Sequence, residues 1–420
     1  MAEAAGKATA LWVLRRLRAA GHQALFAGGS VRDMLLGRPV TDYDLATDAS
    51  PAQVRGLFRR VLLVGEKFGV AMVIHHRRKV EVATFRSDLS YSDGRRPDGV
   101  RFSTPREDAL RRDFTINGMF YDPIAREVID YVGGRDDLAA GVVRTIGKPD
   151  ERFAEDYLRL VRAVRFAVRL GFEIDPDTAA AVAKFAPKIA AISGERIFDE
   201  LSKMLSLPSA GEALRKLAEL GLAVHVLGDV AADKELWATA VQCVSAVAGR
   251  KDLTLTLAAM LAELRARTVA GMTRRWGASN DLRDALVWLG QHRDDWRDLG
   301  GMQLSSFRKL AGHEQFARLR ALWRVRAGLA DGTARAEAAS RLVTRRLREI
   351  PGHEPLPEPL ITGADLIEMG LHPGPAMGKA LRDAYDAQLN LEVATRREAL
   401  ARAKEGIDRR DTEALRKEEE

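Results

Sequence analysis

The stretch from Gly28 to Asp44, Gly-Gly-Ser-Val-Arg-Asp-Met-Leu-Leu-Gly-Arg-Pro-Val-Thr-Asp-Tyr-Asp, limits what this chain can fold into more than any other. It follows a short apolar run, Ala24 to Ala27, that reads as a buried strand. Gly28, Gly29 and Ser30 then form a turn without side-chain bulk, leaving backbone N–H groups free. Val31 to Leu36 reads as a short helix, so strand, glycine turn and helix N-terminus combine into an anion site suited to phosphate. Gly37 and Pro39 stop that helix, and Val40 to Ala46 reads as a second extended run. There Asp42 and Asp44 are two apart, so on a strand both carboxylates leave the same face. Such a pair repels itself unless a cation lies between, and oxygen-only ligands suit Mg²⁺, which completes its shell with water and substrate phosphates. A phosphate cradle beside a metal clamp points to metal-assisted phosphoryl or nucleotidyl transfer. Each half also has a plainer reading, an ordinary turn and a solvated strand end; their adjacency gives the pair its weight.

The rest of the chain sets bounds. With 420 residues there is room for two to four domains, and 46% hydrophobic with 30% charged residues is ordinary for a globular protein. A formal net charge of +7 points to a polyanionic partner, with nucleic acid and an anionic membrane surface both open. One cysteine, Cys243, excludes a disulfide framework and a cysteine-based zinc site and fits a reducing compartment. Met1 to Ala10 lacks a hydrophobic signal core and no run approaches the roughly 20 apolar residues of a spanning helix, so a cytoplasmic location is expected.

In chain order, Leu11 to Ala20 reads as an amphipathic helix, and Ser50-Pro51 as the start of a helix through Phe58. The period then becomes two: Val61 to Val64, Val70 to Ile74 and Val80 to Phe85 read as strands, with a polar turn from His75 to Lys79. Glu81 is either a third carboxylate for the metal or a solvated strand residue. Arg86 to Val100 reads as a polar loop carrying Arg95 and Arg96. Arg111-Arg112-Asp113-Phe114-Thr115-Ile116-Asn117 sets two guanidiniums beside apolar anchors, which favours anion binding but also fits a salt-bridged helix start. Tyr121 to Asp130 reads as a hairpin. From Pro149 the pattern is almost entirely helical. Glu151 to Leu170 shows one stripe, Phe153, Tyr157, Leu160, Val164 and Val168, and a second face with Asp156, Arg159 and Arg162, with Arg165 nearby. A solvated Glu155–Arg159 pair is the simple account of that face. Asp156 and Arg159 also suit a specific task. A carboxylate accepts from the exocyclic amine of cytosine or adenine while a guanidinium donates to the neighbouring ring nitrogen; uracil and guanine would leave buried groups unpaired, at roughly 1–3 kcal/mol each. Helices continue to about Ile350, and Pro351 to Pro359 reads as a linker or extended arm.

These motifs, in this order, resemble those of bacterial class II CCA-adding enzymes, tRNA nucleotidyltransferases of the family that includes bacterial poly(A) polymerase. The resemblance rests on Gly28–Asp33 with Asp42-x-Asp44, Val82–Arg86, Arg95-Arg96-Pro97, Arg111–Asn117, Gly133-Gly134-Arg135, Glu155-Asp156-x-x-Arg159-x-x-Arg162-x-x-Arg165-Phe166 and Glu195-Arg196-Ile197. It thins after Leu205 and returns at Ile361 to Gly378. It implies an α+β chain: a nucleotidyltransferase palm of mixed sheet and helices at 1–145, then an all-α neck at 146–205, body at 206–350 and tail at 351–420. It also implies an enzyme that adds CTP, CTP and ATP units to the 3′ end of tRNA without a nucleic-acid template, with Mg²⁺. Carried over residue by residue, Asp42 and Asp44 would be the catalytic metal ligands and Gly29 and Arg32 would sit at the nucleotide. Arg112, with Arg111, would hold the triphosphate; Asp156 and Arg159 would read the base, with Arg162 and Arg165 in support. Gly118 stands where alanine is commoner, with little bearing on chemistry. The full-length loop from Arg86 to Pro97 favours complete CCA addition or the A-adding step. No downstream His-Asp dyad calls for an appended phosphohydrolase domain. The alternatives are a poly(A) polymerase, an A-adding-only enzyme and a catalytically inert RNA-binding protein.

Overall fold

Period-two runs in the first third of the chain assemble into one sheet. The computed structural model describes residues 2–40, 42–63, 69–88, 99–370 and 372–405; Arg95 and Arg96 lie outside the described residues. The order is α1 (Ala2–Ala19), β1 (Ala24–Ala27), α2 (Gly29–Leu35), β2 (Asp44–Thr47), α3 (Pro51–Leu57), β3 (Val61–Leu62), β4 (Val70–His75) and β5 (Arg78–Thr84). There follow β6 (Arg86–Asp88), β7 (Val100–Phe102), α4 (Pro105–Leu110), β8 (Phe120–Asp122) and β9 (Glu127–Ile129). Seven strands form a mixed sheet in the order β3-β4-β5-β2-β1-β8-β9, antiparallel except where β2 runs parallel to β5. β1, next to the middle strand of the seven, is buried at all four positions.

Side-chain alternation gives this sheet two unlike faces. Val80 and Val82 are buried on the face where α1 packs against β1, β2 and β5, and α3 against β4. Glu81 lies between them in sequence and so faces the other way. α3 and α4 both open with a capping box and a proline, Ser50 with Gln53 and Thr104 with Glu107, each worth about 1 kcal/mol to its helix. Two expectations change here. The run Val40–Ala46 is strand only from Asp44, so Asp42 precedes the ladder and the shared-face argument does not apply to it. The turn between β4 and β5 is only His76 and Arg77, both at positive φ (47° and 63°).

Beyond the sheet come α5 (Gly134–Ala140), β10 (Val142–Val143), α6 (Pro149–Glu155), α7 (Leu158–Leu170), β11 (Glu173–Ile174), α8 (Pro176–Phe185) and α9 (Gly194–Leu205). β10 and β11 form a short parallel pair. The single helix expected from Glu151 to Leu170 is two, because Asp156 is extended (φ −151°, ψ 105°). Its Oδ1 accepts from the Leu158 N–H at 3.0 Å, the kind of local bond with which aspartate competes against helix. The apolar stripe runs across this break unbroken, which is why spacing alone does not reveal it.

The chain forms two compact units. One takes the described residues up to Val241 together with Ala248–Leu253 and Gly271–Ala278; the other takes the rest. Among the described residues the second unit is all helical. Cys243 lies in its core with Val247, Leu255, Ala259, Ala321 and Leu322, and burial pushes the thiol up to about 11, so it is an unreactive packing residue. The proline-rich segment is tied down by Arg308, which donates to the carbonyls of Glu354, Pro355 and Leu389. No helix among the described residues is long and apolar enough to cross a membrane.

Candidate active site

The open face of the sheet and α7 enclose a cleft of about 590 Å³ within the first unit. At its floor the chain leaves β1 through Gly28 at φ 66°, ψ −131°. That backbone requires glycine, and a Cβ there would stand 2.8 Å from Arg112 Nη1 and displace the guanidinium beside it. Its N–H donates to the Met119 carbonyl (3.2 Å) and is therefore not a donor for a ligand. Gly29 opens α2 and lines the cleft. Arg32 is 2% exposed, with Nε on Asp33 (2.8 Å) and Nη1 on the Asn117 side-chain oxygen (2.6 Å). Burial lowers its pKa while Asp33 opposes that, so the deepest cation of the site stays paired.

Asp44 begins β2 at the cleft wall, with Glu81 of β5 on the same open face. Desolvation inside the cleft, then the Glu81 and Asp42 charges, push the Asp44 carboxyl up to about 6 against the pull of Arg112. The side chain remains accessible, so the crowding is that of a cleft and not of the core. Asp42 is exposed and outside the cleft lining, although its charge acts on Asp44. Among the described residues no three His, Cys, Asp or Glu converge on one metal position. Two carboxylates with oxygen donors only, one of them pushed up first by desolvation and then by neighbouring acids, fit a divalent cation that takes its remaining ligands from water and phosphate.

Nine arginines and five acids line the cleft, and buried acids fix the direction in which several guanidiniums point. Asp108 of α4, 1% exposed, accepts from Arg111 Nε and Nη2 at Oδ1 (2.9 and 2.7 Å) and from Arg112 Nε and Nη2 at Oδ2 (3.2 and 2.9 Å). Burial raises Asp108, but Arg112 and then Arg111 outweigh it and hold the carboxyl below its usual range. The same balance, with Arg162 foremost, sets Asp113 far below that range. Arg162 donates to Asp113 Oδ2 (2.9 and 2.5 Å), and Arg165 pairs with the buried Glu200 of α9. The Phe166 ring packs among Arg32, Arg162 and Arg165.

Asp156 and Arg159 both line the cleft, so the structure brings them into the chamber that holds Asp44, Gly29, Arg32, Arg112, Arg162 and Arg165. They are not paired with each other in the way a shared helix face implies. Arg159 bonds Glu155, the i, i+4 pair of the simple account, and the Arg152 carbonyl (2.8 Å). Asp156 is gripped by Arg196 of α9 through both oxygens (3.3 and 2.8 Å). Asp108, Asp113, Arg196 and Glu200 thus belong to the site, and sequence reasoning gave none of them a role. Asp113 and Arg196 stood inside motifs already singled out; Glu200 and Asp108 carried no spacing signal at all.

The first unit thus sets a mixed sheet with acids on its open face against a wall of arginines. A family model described as the poly(A) polymerase head domain matches residues 24–144, and one described as the probable RNA and SrmB-binding site of polymerase A matches residues 171–234. The CCA-adding enzyme of Lacticaseibacillus paracasei is 34% identical over 375 residues, 89% of each chain. A crystal structure of the Bacillus stearothermophilus CCA-adding enzyme in complex with CTP superposes with a TM-score of 0.79 at 32% identity, covering 97% of this chain and 98% of that one. The chain belongs to the bacterial CCA-adding enzyme family. Identity rises to 43% with the Geobacillus stearothermophilus enzyme over 228 residues, an alignment that spans 54% of this chain and 56% of the relative.

Proposed function

We propose that the chain adds C, C and A to the 3′ end of tRNA from CTP and ATP, without a nucleic-acid template. The observation that carries this reading is the single cleft in which Asp44, the Gly28–Gly29 turn, Arg112, Asp156 and Arg159 meet. Asp42 and Asp44 would hold Mg²⁺, which supplies charge neutralisation at the triphosphate and acidifies the attacking 3′-hydroxyl. Arg112 and Arg111, aimed by Asp108, bind the triphosphate oxygens; Arg32 backs the turn against which the nucleotide rests. Asp156, held by Arg196, accepts from the amine that cytosine and adenine share, and Arg159 donates to the adjacent ring nitrogen. Arg162 and Arg165 brace α7. The division into head (1–145), neck (146–205), body (206–350) and tail (351–420) is proposed with the same reading, as are tRNA acceptor-end contacts along the basic helical half and a cytoplasmic setting. The test is incubation of tRNA lacking its 3′ end with each labelled nucleotide alone and in mixture. Incorporation of CTP, then of ATP after two CTP additions, supports the reading. ATP incorporation only would move the chain to an A-adding or poly(A) activity, and no incorporation would leave an RNA-binding protein.

A further inference from the structure

A second cavity, of about 290 Å³, lies in the same unit and shares no lining residue with the cleft. Its walls come from Trp12 of α1, from Phe58, Arg59 and Arg60 after α3, and from the tip of the β4–β5 hairpin. Strand register separates it from the catalytic cleft. Val73 and His75 are paired with Val80 and Arg78 on the helix-covered face, whereas Glu81 and Ala83 look into the cleft from the other.

Two kinds of group meet in this cavity. Trp12, 37% exposed, stacks on His75 with ring centroids 3.8 Å apart and planes 7° from parallel. Phe58 is tilted against Trp12 at 5.5 Å, and His76 lies edge-on to His75 at 4.2 Å. Around these rings Arg59, Arg60 and Arg77 are exposed and, among the described residues, make no ion pair. From Ala52 to Val80 the sequence carries seven Lys or Arg and one acid, Glu66. The hairpin tip adds a third sign. A two-residue turn with both φ positive is ordinarily Asn-Gly, and placing His76 and Arg77 there costs backbone strain of the sort that gathers at ligand clamps.

We propose that this cavity binds one nucleotide of an RNA strand, its base beside Trp12 and the hairpin imidazoles and its flanking phosphates on Arg59, Arg60 and Arg77. The assignment is independent of CCA addition, since none of these residues faces the catalytic cleft. The test measures anisotropy of a labelled oligouridylate 12-mer with the full chain between 50 and 200 mM salt (roughly the range over which phosphate contacts show their salt dependence). Replacing three phosphate-binding arginines (Arg59→Gln, Arg60→Gln, Arg77→Gln) should flatten the slope of log K against log salt by about 2, at roughly 0.7 per contact on a single strand. Trp12→Ala should weaken binding about tenfold with the slope unchanged. The rate of nucleotide incorporation and its KM should stay at the parent values in both variants, which excludes misfolding. Unchanged affinity and slope in the triple variant overturn the proposal. So does uridine monophosphate that binds the parent chain as tightly as the 12-mer and loses the same factor on Trp12→Ala, because the site would then take free nucleotide.

Discussion

At the scale of single residues, buried acids fix the aim of the cleft's guanidiniums. Asp108 is the clearest case, one carboxylate that aims both Arg111 and Arg112. Asp108→Asn keeps the shape and removes the charge, so the KM for nucleoside triphosphate should rise roughly tenfold, the worth of one charge-assisted bond, with a smaller change in kcat. A KM unchanged in steady-state incorporation would mean that the two arginines aim themselves. Asp42 is tested differently, because it lies outside the cleft lining and its role rests on its charge beside Asp44. Asp42→Asn should abolish incorporation and leave the tRNA dissociation constant, read by filter binding, unchanged. Turnover retained at more than a few per cent of the parent rate (about 1.4 kcal/mol for every tenfold) would remove Asp42 from the metal site.

At the scale of elements, the decisive feature is the joint between α6 and α7. Asp156 sits in it, outside either helix, and Arg196 reaches it from α9. Asp156→Ala should let UTP compete with CTP, and Arg196→Ala should do so more weakly while Asp156 keeps its place; single-nucleotide incorporation assays read both. The acids of this region also set an acid limit. Burial raises Asp113 and Asp108, but their arginine partners prevail and both lie below the unfolded value of about 3.9. Their stabilisation is complete above that value and is lost progressively as pH falls from it through the lower folded values, so urea midpoints should drop below about pH 4, and less steeply in Asp113→Asn. Sequence reasoning reached much of this scale. β1, the Ser50 cap of α3 and the hairpin at Phe120–Ile129 follow from an apolar run, Ser-Pro and Asp-Pro, whereas the Thr104 cap of α4 went unread. It missed the α6–α7 joint because Phe153, Tyr157 and Leu160 keep their stripe across it. It placed Asp42 on a strand because alternation shows no start point. Arg196 and Glu200 lie about 40 residues from their partners, a distance at which no local period operates.

For the whole molecule, the net charge of +7 is unevenly spent. Cleft arginines are largely matched by acids, so binding of a long polyanion has to draw on surface cations elsewhere, and tRNA affinity should fall steeply with salt, with log K linear in log salt. A flat response would argue against phosphate contacts as the main source of affinity. The matching within the cleft has its own consequence. Because Arg111 and Arg112 share Asp108, and Arg162 and Arg165 share Glu200, no guanidinium there is an independent part. Anyone redesigning this pocket for a modified nucleotide must exchange whole clusters, since altering one arginine leaves a buried acid, Asp108 or Glu200, short of a partner and misdirects the guanidinium that shares it.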